Sequence, residues 1–368
     1  MPMLLPRQIT RRRFLAATAT GTAAATGVAA KLAVPGESAP AERSLGRFRI
    51  DVQSHLHPPE LLDFMEQRAL EPRVVRNGKV RQVVVGDWTR TVKESYSDPL
   101  HKLAAMDANG IEMAAISIND PGPERFGQDG AEVARIANDY LTGIARAHPN
   151  RFLPLIALPL QDIPASMAEL GRCVDQLGMR GILLYTNIDG EFPDEPRFRW
   201  LFAEAERRNL PILLHPAYPT TFPAVQAQLA GGLGMMFDNT IALTRIIMAG
   251  ILDEFPRLRL LCPHIGGTLP YLIGRLDHQT HVLMRAPATL RRRPSEYLRN
   301  VYFDVVNPLP DALRMMYDMV GPDRLLFASD HPWVDPKIIV DCVEALHLSE
   351  QDRLKIYRDN ARSFFGLA

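Results

Sequence analysis

The chain has 368 residues, of which 46% are hydrophobic and 23% charged, the ordinary composition of a globular protein with a large apolar core. Forty-two basic residues balance 42 acidic ones, and no basic patch interleaved with aromatic residues is present, which excludes a nucleic-acid-binding surface of the usual kind. The three cysteines are widely spaced, which excludes a disulfide framework and a zinc–thiolate site.

The first 41 residues have the features of an export signal. Arginines 11 to 13 precede Phe14-Leu15 and a weakly apolar run of Ala, Thr and Gly. A charged start, a short apolar region and small residues are typical of secretion signals, and paired arginines favour the twin-arginine type. The run is too short and too weakly apolar to span a bilayer. We therefore expect residues 1–41 to direct the precursor to the twin-arginine export machinery, and residues 42–368 to form a periplasmic or otherwise exported domain; the alternative is a disordered Ala-rich tail.

Eight apolar runs follow this segment, and helical patterns separate them. The runs are rich in Ile, Leu and Val without strict alternation, which is typical of buried parallel strands. They cover residues 48–55, 111–118, 152–160, 181–186, 211–217, 258–265, 301–306 and 325–330. Eight alternating units predict an α/β fold that closes into one (β/α)8 barrel, the TIM-barrel architecture, rather than an open dinucleotide-binding sheet.

The connection between the first two runs, residues 58–97, is longer than an ordinary loop. It contains Asn77-Gly78 between two Val-rich stretches, a strong signal for a β-hairpin. An inserted hairpin at the catalytic end of a barrel is a candidate lid or pocket wall.

Ligand-type residues end four of the eight runs: His55 and His57 after the first, then His215, His264 and Asp330. A single histidine at a strand end is more often a structural residue, but the carboxyl ends of barrel strands meet at one face, so four together predict a site. Residues two apart on a strand face the same way. We therefore expect His55, His57, His215 and Asp330 to bind a divalent metal, with zinc as the expected ion and manganese as an alternative. His264 and Asp330 would handle the proton.

Several segments carry a wider resemblance: residues 50–55, 106–111, 158–161, 214–216, 264–270, 274–276, 329–332 and 360–362. From about residue 48 to 367, the chain resembles the amidohydrolase-related family that includes aminocarboxymuconate-semialdehyde decarboxylase and the resorcylate-type decarboxylases. The resemblance implies a barrel, metal ligands on the first strand, at His215 and at Asp330, and proton transfer by His264. It also implies a homodimer in which Arg275 approaches the neighbouring site. Arg90 and Lys93 fall in the insertion, where basic residues of the family grip a substrate carboxylate.

One position departs from the family pattern. The resemblance places the first-strand ligands two and four residues after Asp51, where this chain has Gln53 and His55. Glutamine is a neutral, poor ligand for a transition metal. Either the pair has shifted to His55 and His57, which ligand chemistry favours, or Gln53 faces the substrate and weakens or removes the metal.

Three functions remain open at this point. The first is non-oxidative decarboxylation of an aromatic or unsaturated carboxylic acid, a small-molecule substrate. The second is hydrolysis of an amide, lactone or carbon–carbon bond by a metal-activated water. The third, a catalytically silent binding barrel, is supported only by Gln53.

Overall fold

The computed structural model describes residues 48–78, 80–218 and 229–367. The expected export signal at residues 1–41 lies outside the described residues. Among the described residues, no helix combines the length and the apolar character needed to cross a membrane.

Eleven strands lie in the described part of the chain. They are β1 (Arg49–His55), β2 (Arg73–Asn77), β3 (Val80–Val85), β4 (Trp88–Val92), β5 (Ile111–Ser117), β6 (Phe152–Pro154), β7 (Ile182–Tyr185), β8 (Ile212–His215), β9 (Leu260–Cys262), β10 (Tyr302–Asp304) and β11 (Leu325–Leu326). Eight of them form two parallel sheets, with strand orders β1-β5-β6 and β11-β10-β9-β8-β7. Each of these eight strands lies within one of the eight predicted apolar runs, although most are shorter than the run.

Hydrogen bonds join the two parallel sheets. The main-chain N–H of Val52 in β1 donates to the carbonyl of Phe327, just after β11, over 3.0 Å. On the other side, the N–H of Leu183 in β7 donates to the carbonyl of Ile156, just after β6, over 2.9 Å. Isolated bridges at both junctions are parallel. The carboxyl ends of all eight strands therefore face the same way, which is where a parallel α/β fold places its functional side chains.

Strands β2, β3 and β4 form a separate antiparallel sheet between β1 and the second helix. Asn77 pairs with Val80, so the chain reverses at the Asn-Gly turn. The sequence indicated two strands here, and the structure adds a third, β4. It pairs with β3, and Val85 and Trp88 are the first pair of facing residues after the turn. This sheet has its own small apolar core, formed by Leu61, Leu62, Met65, Val74, Val83, Val85, Val92, Phe126 and Val133.

Thirteen α-helices surround the sheets in the described residues. They are α1 (Pro59–Glu66), α2 (Pro99–Ala108), α3 (Gly130–Ala147), α4 (Ile163–Asp175), α5 (Arg199–Arg207), α6 (Met235–Met248), α7 (Ile251–Glu254), α8 (Leu269–Asp277), α9 (Pro294–Tyr297), α10 (Pro310–Val320), α11 (Pro336–Glu344), α12 (Glu350–Leu354) and α13 (Asn360–Phe365). Local chemistry sets several starts: the Asp98 and Asp162 carboxylates accept from main-chain N–H groups of the first turns of α2 and α4. Both helices also have a proline in the first turn, where main-chain N–H groups have no partner within the helix, so the N–H that proline lacks is not needed there.

The central strands are buried along their whole length. All four residues of β7 and all four of β8 are inaccessible, including the polar residues that end them, Tyr185 and His215. Burial on both faces explains why these strands lack an alternating pattern in the sequence. It also means that polar side chains at their carboxyl ends must find partners within the protein or in a ligand.

Candidate functional site

Three ligand-type side chains converge at the carboxyl ends of the strands. His55 ends β1, His215 ends β8, and Asp330 follows β11. Nε2 of His55 lies 3.1 Å from Oδ1 of Asp330 and 3.1 Å from Nε2 of His215. One ligand atom from each residue lies within 4.8 Å of the other two. Two imidazole nitrogens and a carboxylate oxygen form a donor set that suits a divalent transition metal, and we call these residues the His–His–Asp cluster.

The far nitrogens of both histidine rings are held by hydrogen bonds. Nδ1 of His215 donates to the carbonyl of Pro216 over 2.7 Å, which leaves the lone pair on Nε2. Nδ1 of His55 lies 2.9 Å from the Ser117 hydroxyl. Burial lowers the pKa of both rings, so the neutral imidazole that a metal requires is favoured. Such support of the ring from behind is typical of metal-ligating histidines.

The carboxylate of Asp330 is ionised and fixed. Its backbone adopts a left-handed conformation, with φ of 58°, which is uncommon for a residue other than glycine. Its N–H donates to the carbonyl of Gln53 over 3.0 Å, and its own carbonyl accepts from the N–H of Trp333 over 2.9 Å. Burial opposes ionisation, but the interactions with His264 and His55 outweigh it and lower the pKa of Asp330.

His264 lies next to the cluster. Its Nε2 is 3.7 Å from Oδ2 of Asp330. Amide nitrogens flank both nitrogens of the ring: that of Asn239 lies 3.1 Å from Nδ1, and that of Gln53 lies 3.4 Å from Nε2. The main-chain N–H of His264 donates to Asp304 over 2.6 Å. Burial disfavours the imidazolium, but the negative charges of Asp330 and Asp304 outweigh it and raise the pKa of His264. His264 is therefore suited to carry a proton near neutral pH.

The structure corrects the expected pairing of His55 with His57. Strand β1 ends at His55, so His57 lies beyond it; its ring packs against Tyr96 and Trp333 instead, with centroids 6.2 and 6.0 Å away. The residue that shares the site with His55 is Gln53, two positions earlier and on the same face of the strand. Gln53 is fully buried, and its Nε2 donates to Oδ1 of Asp330 over 3.1 Å. Its Oε1 has no hydrogen-bond partner in the described part of the chain.

Arg90 lies beside the site, as the sequence indicated. Its guanidinium carbon sits 4.8 Å from the ring centroids of both Trp88 and Trp333. Its two terminal nitrogens donate to the side-chain oxygen of Asn119 and the main-chain carbonyl of Asp120. Burial lowers the pKa of Arg90 to about 10, so it keeps its charge at neutral pH. Packing between two rings with two hydrogen bonds holds the guanidinium in one place.

The structure does not bring Lys93 or Arg275 to the cluster. Lys93 is exposed, and its Nζ lies 5.7 Å from the ring of Tyr96. Lys93 follows Arg90 by three residues, and an odd separation along an extended chain turns side chains to opposite faces. Arg275 is exposed on α8, so its approach to the site of a neighbouring subunit stays a prediction.

Sequence reasoning missed the residues that hold the cluster together. Lys102 on α2 is only 2% exposed, and its Nζ donates to the Ser54 hydroxyl over 2.6 Å and the His331 carbonyl over 3.0 Å. The Asp51 carboxylate accepts from the N–H of Ser329 over 3.0 Å. These bonds tie β1 to the segment that carries Asp330. No sequence signal marks Lys102, and Asp304 ends the observed β10 but lies inside the predicted run 301–306, so the strand-end rule did not select it.

The chain is similar in sequence to known proteins over most of its length. The amidohydrolase family model matches residues 50–367. A gamma-resorcylate decarboxylase of Rhizobium sp. (strain MTP-10005) is 33% identical over 304 residues, which cover 77% of this chain and 92% of the relative. The 2-amino-3-carboxymuconate-6-semialdehyde decarboxylase of Dictyostelium discoideum is 24% identical over 335 residues, covering 87% of this chain and 92% of the relative.

A solved structure is similar over the same region. The crystal structure of 2,6-dihydroxybenzoate decarboxylase complexed with 2,6-dihydroxybenzoate superposes with a TM-score of 0.72 and is 29% identical, covering 87% of this chain and all of that one. The family match spans all members of the His–His–Asp cluster and His264. The chain therefore belongs to the amidohydrolase family.

Proposed function

We propose that this protein is a metal-dependent, non-oxidative decarboxylase of an aromatic carboxylic acid. The observation that carries the proposal is the convergence of His55, His215 and Asp330 beside His264, in a chain 33% identical to a gamma-resorcylate decarboxylase. The solved relative complexed with a dihydroxybenzoate supports an aromatic acid over the open-chain unsaturated acids that the sequence also allowed.

The described residues fit a single divalent ion. His55, His215 and Asp330 would hold it, and the unpaired Oε1 of Gln53 is a neutral oxygen available beside them. Such an ion, when bound, draws electron density from the substrate oxygens it contacts and lowers the energy of charge that develops there. Zinc and manganese both accept nitrogen and oxygen ligands, so the ion is to be identified by elemental analysis.

The protein must supply one proton to carbon. In decarboxylation, the bond between the ring carbon and the carboxyl carbon breaks, carbon dioxide leaves, and the electron pair stays on the ring carbon, which takes a proton. No oxidant is needed. His264 is the donor we propose, because its ring lies beside the cluster, with Nε2 3.7 Å from Oδ2 of Asp330, whereas Asp330 is itself one of the three expected metal ligands. Asp330 would instead hold the imidazolium in place.

We propose that Arg90 binds the negatively charged carboxylate of the substrate. Its Nε is buried without a partner among the described residues, and its charge is close enough to act on Asp330. The two bonds to Asn119 and Asp120 fix the plane of the guanidinium before substrate arrives, which limits the entropy lost on binding.

We also infer the architecture, assembly and location that go with this activity. The two junctions between the parallel sheets support a closed (β/α)8 barrel, with the antiparallel sheet as a wall of the pocket. A homodimer through α8 is supported by an exposed apolar side chain one turn from Arg275, since Tyr271 on the same helix is 82% exposed. Sedimentation of the purified protein tests the dimer. Cell fractionation of a precursor with lysines in place of Arg11 and Arg12 tests twin-arginine export.

The decisive experiment measures carbon dioxide. Protein purified without added metal is analysed for bound ions, loaded with zinc or manganese, and incubated with hydroxybenzoates in heavy water. We expect carbon dioxide release and one deuterium on the ring carbon that carried the carboxyl group. A parallel incubation of amide and lactone substrates in oxygen-18 water tests the alternative, and oxygen-18 in the product acid, without carbon dioxide, would establish the hydrolase. No turnover of either group of substrates at any metal loading would contradict both functions.

A further inference from the structure

Three polar side chains buried near the His–His–Asp cluster carry atoms that have no side-chain hydrogen-bond partner among the described residues. Asp120, Glu124 and Tyr185 are 1%, 2% and 3% exposed. Within the described residues, neither Oε1 of Glu124 nor the Tyr185 hydroxyl has a hydrogen-bond partner. The Asp120 carboxylate has none apart from the main-chain N–H of Tyr218.

These three side chains share one small space. Tyr185 ends β7, and Asp120 and Glu124 follow β5, so all three lie at the carboxyl ends of the strands. A side chain at Gly122 would overlap both the Tyr185 ring and the Glu124 carboxyl group. The absence of a Cβ there is what lets the two groups approach each other.

The same space borders the residues proposed for catalysis. The ring of Tyr185 packs edge-on against that of His215, with centroids 5.8 Å apart. On the other side, Arg90 donates to the carbonyl of Asp120 and packs against Trp333, three residues after Asp330. Tyr185 and Asp120 therefore each border a residue of the proposed catalytic site, His215 and Arg90 respectively.

Leaving such groups unpaired is costly. A buried polar group without a partner costs about 1–3 kcal/mol, and native proteins leave few of them. Three at one place, beside a reactive centre, indicate that a ligand supplies the missing partners. The ligand must offer O–H or N–H groups to the carboxyl oxygens. Burial raises the pKa of Glu124 to about 8, so its carboxyl group keeps its proton at neutral pH and can also donate.

We propose that Asp120, Glu124 and Tyr185 form a hydroxyl subsite, which determines specificity by binding ring hydroxyl groups of the substrate. The inference rests on the proposed function and adds the residues that select the substrate. With Arg90 and the cluster taking the carboxylate, the hydroxyl subsite favours a ring that bears free hydroxyl groups and disfavours its O-methyl ether. A methyl ether has no hydrogen to donate and would leave the carboxyl oxygens unpaired.

Binding of a product-like ring tests the subsite without catalysis. Calorimetry of the intact, metal-loaded protein compares resorcinol with its dimethyl ether. We expect wild type to bind resorcinol at least about 30-fold more tightly, since a site built for a hydroxyl rejects an analogue that cannot bond. Tyr185→Phe and Glu124→Gln should each lower the preference by about 5-fold or more, in proportion to one lost hydrogen bond.

Tyr302→Phe is the matched control. It removes a tyrosine hydroxyl at the amino end of β10, whereas Tyr185 lies at the carboxyl end of β7, and it should leave the preference unchanged. Thermal melting checks that each variant folds. Because there are two independent variants, the test remains possible if one of them does not fold. Equal binding of the two rings by wild type, or full preference retained in both variants, would overturn the subsite.

The experiments distinguish failure of the hydroxyl subsite from failure of the proposed decarboxylase function. If no acid releases carbon dioxide but resorcinol is preferred and the preference falls in the variants, the subsite stands and the decarboxylase does not. If hydroxybenzoates are decarboxylated and the variants discriminate like wild type, only the subsite is wrong. The ratio of kcat/KM for a hydroxybenzoate and its methyl ether gives a second readout of the same selectivity.

Discussion

Nε2 of His55 lies 3.1 Å from Oδ1 of Asp330, although 275 positions separate the two residues in the chain. The contact joins β1 to the segment after β11, where one parallel sheet meets the other. The site therefore depends on how well this junction is held, and residues that hold it should affect stability and metal binding together.

Lys102 is the first residue to test at this junction. Lys102→Met keeps much of the side-chain volume but removes the bonds to Ser54 and His331. Burial lowers the pKa of Lys102 to about 7, so these bonds count mainly as buried hydrogen bonds, and each buried group left unpaired costs about 1–3 kcal/mol. We expect a loss of that size in the free energy of unfolding, measured by urea denaturation. Metal affinity should fall as well, because the segment that carries Asp330 loses its anchor.

Lys337→Met is the matched control for Lys102→Met. Lys337 is exposed on α11 and pairs with Asp341 one turn away over 2.8 Å. Surface pairs of this type contribute about 0–1 kcal/mol. Equal destabilisation by the two substitutions would contradict a structural role for Lys102.

Gln53→Glu should tighten metal binding. The substitution places a carboxylate oxygen where the neutral, unpaired Oε1 now lies, beside the His–His–Asp cluster. Added negative charge favours a divalent cation, and we expect an increase in affinity of at least about 10-fold, the scale on which changes around a metal site act. Without metal, the new carboxylate would face Asp330, so the apo protein should be less stable than wild-type apo protein. Chelator competition and thermal melting with and without metal measure both effects; unchanged affinity would show that Gln53 does not face the ion.

The strands and most of the cluster were predictable because their signals are local and repeated. Burial on both faces produces apolar runs that contrast with the helices between them, and His215, His264 and Asp330 stand where those runs end. Asp304 was not marked, because the predicted run continued to residue 306, and its role as acceptor for the N–H of His264 depends on the neighbouring strand.

The choice between Gln53 and His57 was not predictable, because it depends on where β1 stops. A strand that ended two residues later would have favoured the histidine that ligand chemistry preferred. Lys102 and Tyr185 were missed for a related reason: a buried lysine on a helix and a tyrosine at a strand end have ordinary sequence contexts. Only the packing of α2 on β1 and of β7 beside β8 shows what these side chains contact.

His264→Asn tests proton delivery. Asparagine retains a polar side chain but cannot transfer a proton, so kcat for decarboxylation should fall by about 100- to 10,000-fold, the usual contribution of a general acid. Bound metal and the affinity for resorcinol should change little, since neither the cluster nor the hydroxyl subsite loses a member. His278→Asn, which replaces an exposed histidine after α8, is the control and should retain full activity. A variant at His264 with near wild-type kcat would assign the proton to another group.

Glu124→Gln should remove a pH dependence of stability. Burial raises the pKa of Glu124 from its ordinary value of 4.5 to about 8, so between these values the folded protein keeps a proton that the unfolded chain releases. Its contribution to stability is complete below about pH 4.5 and is lost as pH rises towards 8, by about 1.4 kcal/mol per pH unit at most. The difference in the free energy of unfolding between Glu124→Gln and wild type should therefore change in favour of the variant by on the order of 3 kcal/mol from pH 5 to pH 8. Urea denaturation at both pH values measures this difference. Glu132→Gln, at an exposed position of α3, is the control and should show no such change. Parallel pH profiles of stability for wild type and Glu124→Gln would mean that the Glu124 carboxyl group is already ionised in the folded protein.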